Sequence, residues 1–204
     1  MVVTEYDTLN TLSVMGLRVH ESKNYVGWLN NRLRENKGTH VVTINAEMCM
    51  AAQTDDQLHR FIDNADLVAP DGSGIELYFR FMCGHLLRRY PGIELAADLL
   101  DSLGPEVKVA FYGGKPEVID AAARAWQARA PQLNLAIVLD GYAKGDRLDD
   151  FIHRLSTLKP CGLGSAVALI FGRGKRRAPR CGCATHTLSG CTDFIRSPGA
   201  GAEC

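Results

Sequence analysis

The chain predicts an α/β protein: a Rossmann-like, mostly parallel sheet with helices on both faces and an incomplete or disordered C-terminal end. Three observations carry this. Short apolar runs alternate with amphipathic segments along most of the 204 residues, the pattern of strand–helix units rather than of hairpins. Two runs, Val41–Ile44 and Leu67–Ala69, are short and unbroken, as strands buried on both faces are. Both stop at a polar cluster, Thr43-x-Asn45-x-Glu47 and Pro70-Asp71-Gly72-Ser73-Gly74, and then turn helical. In an open α/β sheet such strand ends face the ligand crevice.

The elements follow in order. Residues 12–20 alternate loosely and predict an entry strand or hairpin. Ser22 is placed to cap a helix carrying Tyr25, Val26, Trp28, Leu29 and Leu33, which Lys37-Gly38 ends. Glu47 to Ala65 reads as helix in two pieces, with Asp55-Asp56 at the second start. Proline fits poorly inside a central strand, so Pro70 ends the second run. A helix spans Gly74 to Met82 and stops at Gly84; Arg88 to Gly92 form a loop; Ile93 to Leu103 are helical. Val107 to Tyr112 is a strand that meets Gly113-Gly114-Lys115-Pro116. The proline suits a first helical turn, and the helix runs to Ala130. Leu135–Leu139 is a strand ending at Asp140-Gly141-Tyr142, and Asp146–Leu158 is an amphipathic helix. After Pro160 the pattern degrades. Ala166–Phe171 reads as one more strand, and the rest is given no fold.

Apolar residues make up 46% and net charge is zero, which suits a soluble globular chain. No apolar run is long enough to span a bilayer. The N-terminus lacks a basic segment leading into an apolar run, so no secretory signal is expected and the cytoplasm is the expected location. No nucleic-acid partner is expected. The charge is unevenly spread. Residues 161–204 hold six Lys/Arg against two acids, and five of the seven cysteines. Two domains are therefore expected, 1–160 and a basic, Cys/Gly-rich tail over 161–204.

Several motifs in order resemble the WecG/TagA/CpsF family of bacterial glycosyltransferases: Thr43-x-Asn45-x-Glu47, Ala65-Asp66-Leu67-Val68-x-Pro70-Asp71-Gly72, Arg89-x-x-Gly92-Ile93-Glu94-Leu95, Phe111-x-Gly113-Gly114-Lys115-Pro116 and Gly141-Tyr142. They cover roughly residues 10–158. Pro91 and Glu94 are mild departures from the family pattern. The resemblance implies an inverting, metal-independent enzyme with no cofactor. It would move an N-acetylmannosamine-type sugar from UDP to a polyprenyl-diphosphate-linked N-acetylglucosamine, in cell-surface polysaccharide synthesis. It also implies contact with the inner face of the plasma membrane and self-association.

Site residues carry over by position. Asp71 matches the proposed catalytic base, which takes the acceptor hydroxyl's proton. Thr43 and Asn45 line the same pocket. Arg89 stands at its mouth and would neutralise phosphate charge. Gly113, Gly114 and Lys115 lead into a helix N-terminus, where backbone N–H groups hold diphosphates. Each has a plainer alternative: a turn aspartate, strand-end residues that satisfy backbone groups, a solvated arginine pair, an ordinary glycine turn. Gly113-Gly114-Lys115 is no P-loop, since the spacing and the Ser/Thr after lysine are absent.

The tail departs from the family. A Gly-x-Pro-x-Gln-Glu motif and a basic C-terminal appendage are expected and not recognisable after Pro160. The abruptness of the loss points to a reading-frame shift near codon 160, with a genuine but divergent tail as the alternative, and impaired activity is expected. Cys181-x-Cys183-x-x-His186 with Cys191 is tighter than zinc sites use, and Arg173 to Arg180 reads as a solvated basic run. Two other functions compete. One is a non-catalytic nucleotide-sugar-binding remnant. The other is an S-adenosylmethionine-dependent methyltransferase, suggested by Asp71-Gly72-Ser73-Gly74; it wants an acid at the next strand's end, and Glu94 sits at a predicted helix start instead.

Overall fold

Two adjacent residues with positive φ, Met15 (51°) and Gly16 (86°), make the first turn. They join β1 (Asn10–Val14) to β2 (Leu17–Glu21) as an antiparallel hairpin with Val14 opposite Leu17, the two-residue loop whose twist matches its strands. The computed structural model describes residues 8–157 and 166–171. Helix α1 (Tyr25–Arg34) is capped by Asn24, whose side chain accepts the Gly27 N–H at 2.8 Å. Ser22, the cap expected from sequence, instead accepts the Asn24 N–H at 3.1 Å. The cap is the residue whose oxygen reaches the third helical amide, and Asn24 holds that spacing.

Strands β3 (Val41–Ile44) and β4 (Leu67–Pro70) pair in parallel, Thr43 beside Ala69 and Ile44 beside Pro70. The crossover is helical in two pieces as expected: α2 (Ala46–Ala51), capped by Asn45, and α3 (Asp56–Asp63), capped by Asp55. Helices α4 (Ser73–Met82) and α5 (Gly92–Ser102) follow. Strand β5 (Lys108–Gly113) lies between β6 (Asn134–Leu139) and β7 (Ala166–Phe171), parallel to both. Helix α6 (Pro116–Arg129) links β5 to β6, and α7 (Asp146–Thr157) follows β6.

The parallel strands fall into two hydrogen-bonded groups, β3–β4 and β6–β5–β7, rather than one ladder. Side-chain packing joins them. Val41, Leu67 and Ala69 share a core with Val109 and Phe111 of β5, through Leu95, Leu99 and Leu100 of α5 and Leu29 of α1. Alternate residues Val42, Ile44 and Val68 face the other way, onto the hairpin, Cys49 of α2, Ile62 of α3 and Ile75 and Phe79 of α4. The β3–β4 pair therefore has its two faces covered by helices, as its short, mostly apolar strands require. Strand β5 is likewise two-sided, with Ala110 packed toward Phe151, Ile152 and Leu155 of α7.

The hairpin also supplies a polar tie. The buried His20 ring accepts the Val68 N–H through Nδ1 at 2.8 Å, and the Tyr25 hydroxyl donates to the His20 carbonyl at 2.8 Å. An amide of β4 is thus satisfied by a side chain where no strand supplies a carbonyl, as a buried N–H must be.

Candidate active site at two strand ends

Strand β3 delivers a buried Thr43 and ends at Asn45; β4 ends at Pro70 and Asp71. The Asp71 N–H donates to the Ile44 carbonyl at 2.8 Å, which carries the pairing one residue past the strand and sets Asp71 beside Asn45. The chain then turns at Gly72, with φ 84° and ψ 156°, a region open essentially to glycine alone. A Cβ on Gly74 would stand 2.8 Å from the Ala46 Cβ, so the first turns of α2 and α4 approach as closely as they do because Gly74 has none. Asn45 has a structural task as well: its Oδ1 accepts the Met48 N–H at 2.8 Å and caps α2. For Asn45 the plainer reading, a strand-end residue satisfying backbone groups, is therefore part of the answer.

A third segment reaches this strand end. The Tyr90 N–H donates to the Pro70 carbonyl at 2.8 Å. The Tyr90 ring stacks on Tyr25 with centroids 5.4 Å apart and planes 13° from parallel, and its hydroxyl donates to the Asp98 carboxylate of α5. Burial first, and then the Asp98 carboxylate, push the Tyr90 hydroxyl well above the ordinary phenol value. It stays a neutral donor. Leu87, three residues earlier, is in the core. Arg89 is thus fixed between two anchored residues while its own side chain is exposed. Arg89 is a site residue expected from sequence, whereas Tyr90, which anchors the loop, is not: a tyrosine before Pro-Gly gives no sign that its amide is bound to a neighbouring strand.

The second strand end lies at β5. Gly113 (φ 118°) and Gly114 (φ 66°) turn the chain into α6, with Lys115 at the N-cap position and Pro116 in the first turn. The Gly141 N–H donates to the Gly114 carbonyl at 2.9 Å. A Cβ on Gly141 would meet the Gly113 Cα at 3.1 Å and the Gly114 nitrogen at 3.3 Å. Asp140, only 5% exposed, holds this turn. One carboxylate oxygen accepts the Tyr142 N–H at 2.9 Å and the other accepts Arg147 at 2.9 Å. In the sequence Asp140 stands out only as a strand end. The available signal was its chemistry: an aspartate that closes a strand and binds the amide two residues on, as an Asx turn does.

These bonds assemble two groups. Thr43, Asn45, Asp71 and the Arg89 loop stand at the end of β3–β4; Gly113, Gly114, Lys115 and the Asp140–Tyr142 turn stand at the end of β5 and β6. The shared core joins the strands that carry them. The first group offers a carboxylate and a guanidinium for acid–base and phosphate chemistry. The second offers close-approach backbone and the positive end of a long helix, which attracts anions. Glu94, which the methyltransferase reading wanted at a strand end, lies in the first turn of α5. Among the described residues no cluster of His, Cys, Asp and Glu is arranged to hold a metal ion, and no helix is long and apolar enough to cross a membrane. The basic run Arg173–Arg180 and the Cys181–Cys191 cluster lie outside the described residues.

Comparison with known proteins bears on the same elements. Residues 12–168 match the model of the "Glycosyl transferase WecG/TagA/CpsF family", a span that takes in every strand end above. An N-acetylglucosaminyldiphosphoundecaprenol N-acetyl-beta-D-mannosaminyltransferase of Bacillus spizizenii is 31% identical over 116 residues, 56% of this chain and 45% of that protein. The protein of the same name from Bacillus subtilis is 25% identical over 166 residues, 68% of this chain and 65% of that one. The chain thus spans between about half and two thirds of the length of these curated relatives. The turn from β4 into α4 at Asp71, the loop anchored by Tyr90 and the Gly113-Gly114 turn into α6 are where the motifs expected from sequence now sit, and the chain belongs to the WecG/TagA/CpsF family of glycosyltransferases.

Proposed function

We propose that this chain is built to transfer an N-acetylmannosamine-type sugar from a UDP donor to a polyprenyl-diphosphate-linked N-acetylglucosamine, with inversion at the anomeric carbon. The relatives' shared name describes that acceptor and that sugar. The observation that carries the reading is the placement of Asp71. It is a partly buried carboxylate at the end of β4, fixed through its own N–H to Ile44, with an arginine-bearing loop tied to the residue before it.

The residues then divide the work. The Asp71 carboxylate takes the proton of the acceptor hydroxyl as that oxygen attacks the anomeric carbon. The bond from that carbon to the donor phosphate oxygen breaks, and its electron pair leaves with UDP. Arg89 meets charge developing on the diphosphate. The Gly113-Gly114 turn and the α6 N-terminus hold the nucleotide through backbone N–H groups, and Thr43 and Asn45 shape the acceptor side. Residues 1–160 form the catalytic domain on this reading, β7 (Ala166–Phe171) extends its sheet, and a frame shift after α7 accounts for the sequence beyond the family match that ends at 168. Residues 161–204 carry no recognisable Gln-Glu motif of the kind the family uses at the donor. Losing one preorganised donor at a leaving group slows catalysis by about 10²–10³-fold, so this chain turns over weakly.

Two measurements test the reading. Calorimetry should show UDP binding, and a radiolabelled-sugar assay with a lipid-diphosphate acceptor should show slow transfer that falls a further 10²–10⁴-fold, roughly, in Asp71→Asn. A rate unchanged by that substitution removes Asp71 as base. UDP binding with no turnover to lose favours the non-catalytic remnant. Repair of the reading frame after α7 should restore the rate; if no frame encodes the missing motif, the tail is genuine.

A further inference from the structure

Helix α4 presents its two sides unequally. Ile75 and Phe79 are buried against the β3–β4 sheet, while Leu77 is 49% exposed, Phe81 75% and Met82 72%. Four residues on, Leu86 is 77% exposed although its neighbour Leu87 is in the core. This segment is held in place. The His85 ring packs edge-on to Phe79 at 6.3 Å and contacts the Glu21 carboxylate at 3.2 Å. A fixed loop that points a leucine outward keeps apolar surface in water, which folded monomers limit. From Leu77 to Arg89 the sequence carries three arginines and no acid. Arg80, Arg88 and Arg89 are exposed, and the Arg80 guanidinium lies 5.9 Å from the Phe81 ring centre.

We infer that the Leu77–Arg89 segment is a membrane-docking surface, with Phe81, Met82 and Leu86 entering the headgroup region of an anionic bilayer and the arginines pairing with its phosphates. Apolar side chains interleaved with arginine are the composition of interfacial anchors. A second copy of the chain fits less well. A two-fold contact sets the same patch against itself, and three arginines would face three with no acid in the segment to answer them. The arrangement also suits the chemistry beside it: Tyr90, next in the chain, bonds to the residue before Asp71. A lipid-linked acceptor would then lie in the plane on which the site rests. Only this last point depends on the transferase reading.

Cosedimentation of the full chain with vesicles tests the inference without sugar or nucleotide, so its failure is separable from failure to bind UDP. The chain should pellet with vesicles containing phosphatidylglycerol and much less with phosphatidylcholine alone, and salt should release it. Phe81→Ser/Met82→Ser/Leu86→Ser, all at exposed positions, should abolish pelleting while circular dichroism stays unchanged. Arg80→Gln and Arg88→Gln should each weaken partitioning by about five-fold. No pelleting on anionic vesicles overturns the proposal. So does undiminished pelleting of the triple variant, which would place the contact elsewhere, for instance on Arg173–Arg180. A wild-type dimer that the triple variant converts to monomer, with no lipid binding by either, would make the patch a self-interface and also overturns it.

Discussion

Asp140 and His20 are two buried polar residues, each of which accepts a backbone N–H. Asp140→Ala leaves the Tyr142 amide and Arg147 without their carboxylate. Arg147 is 68% exposed, so the ion pair itself is worth little; the cost comes from the buried acceptor and amounts to about 1–3 kcal/mol. Urea unfolding should show that loss, and UDP affinity should fall with it, because the turn that Asp140 holds is bonded to Gly114. Unchanged affinity would separate the turn from the donor site. For His20, burial and then Arg18 hold the imidazole below the ordinary value of 6.5, against a smaller opposing pull from Asp66. The unfolded chain takes up a proton near that value and the folded chain resists. His20 therefore contributes stability that is present above 6.5 and is lost as pH falls toward the folded value. His20→Gln should remove that part of the pH dependence, seen as a wild-type urea midpoint that drops on acidification more steeply than the variant's. The role of Asp140 had a local signal, that of His20 none. A histidine in an alternating hairpin reads as one more strand residue, and only the position of β4 shows that it binds Val68.

The strands and helices themselves were largely readable. Val41–Ile44 is the third strand residue for residue, and the two-piece helix after it breaks at Asp55 as its acid pair suggested. The errors sit at the ends. The first helix is capped by Asn24 rather than Ser22, since both are good caps and spacing to the third amide decides. The parallel α/β fold is as expected; among the described residues its strands hydrogen-bond in two groups, a grouping that local pattern does not specify. Thr43, Asn45, Asp71 and Arg89 were expected from the family motifs, and the structure puts Asn45 and Asp71 just past the ends of β3 and β4. What holds them was hidden. Gly74 is an example: nothing local distinguishes it from Gly72, yet its role is the closeness of α2 and α4. Gly74→Ala should push those helices apart at a cost of about 1–3 kcal/mol and shift Asp71 with them. The expected result is a lowered melting temperature together with a loss of turnover larger than the loss of UDP affinity. A variant that melts as wild type would mean the 2.8 Å approach relaxes without strain.

The two strand groups meet only if the core between them behaves as one body. Leu99 of α5 is buried in the cluster that contains Val41 and Leu67 on one side and Val109 and Phe111 on the other. The tryptophans are well placed to report on this: Trp28 lies on α1 and Trp126 on α6, each packed on that cluster with an arginine over its ring. Single-tryptophan variants, with Trp28→Phe or Trp126→Phe in turn, should therefore unfold in urea at coincident midpoints, as one cooperative unit does. Leu99→Ala should move both midpoints down together by a loss of about 2–5 kcal/mol, the range for emptying a leucine site in a packed core. Midpoints that separate, or a Leu99→Ala effect seen by one tryptophan alone, would mean that the Asp71 end and the Gly113 end unfold as independent halves. A donor held at one and a base fixed at the other would then not be kept in register by this core, and the proposed division of labour between the two strand ends would have to be abandoned.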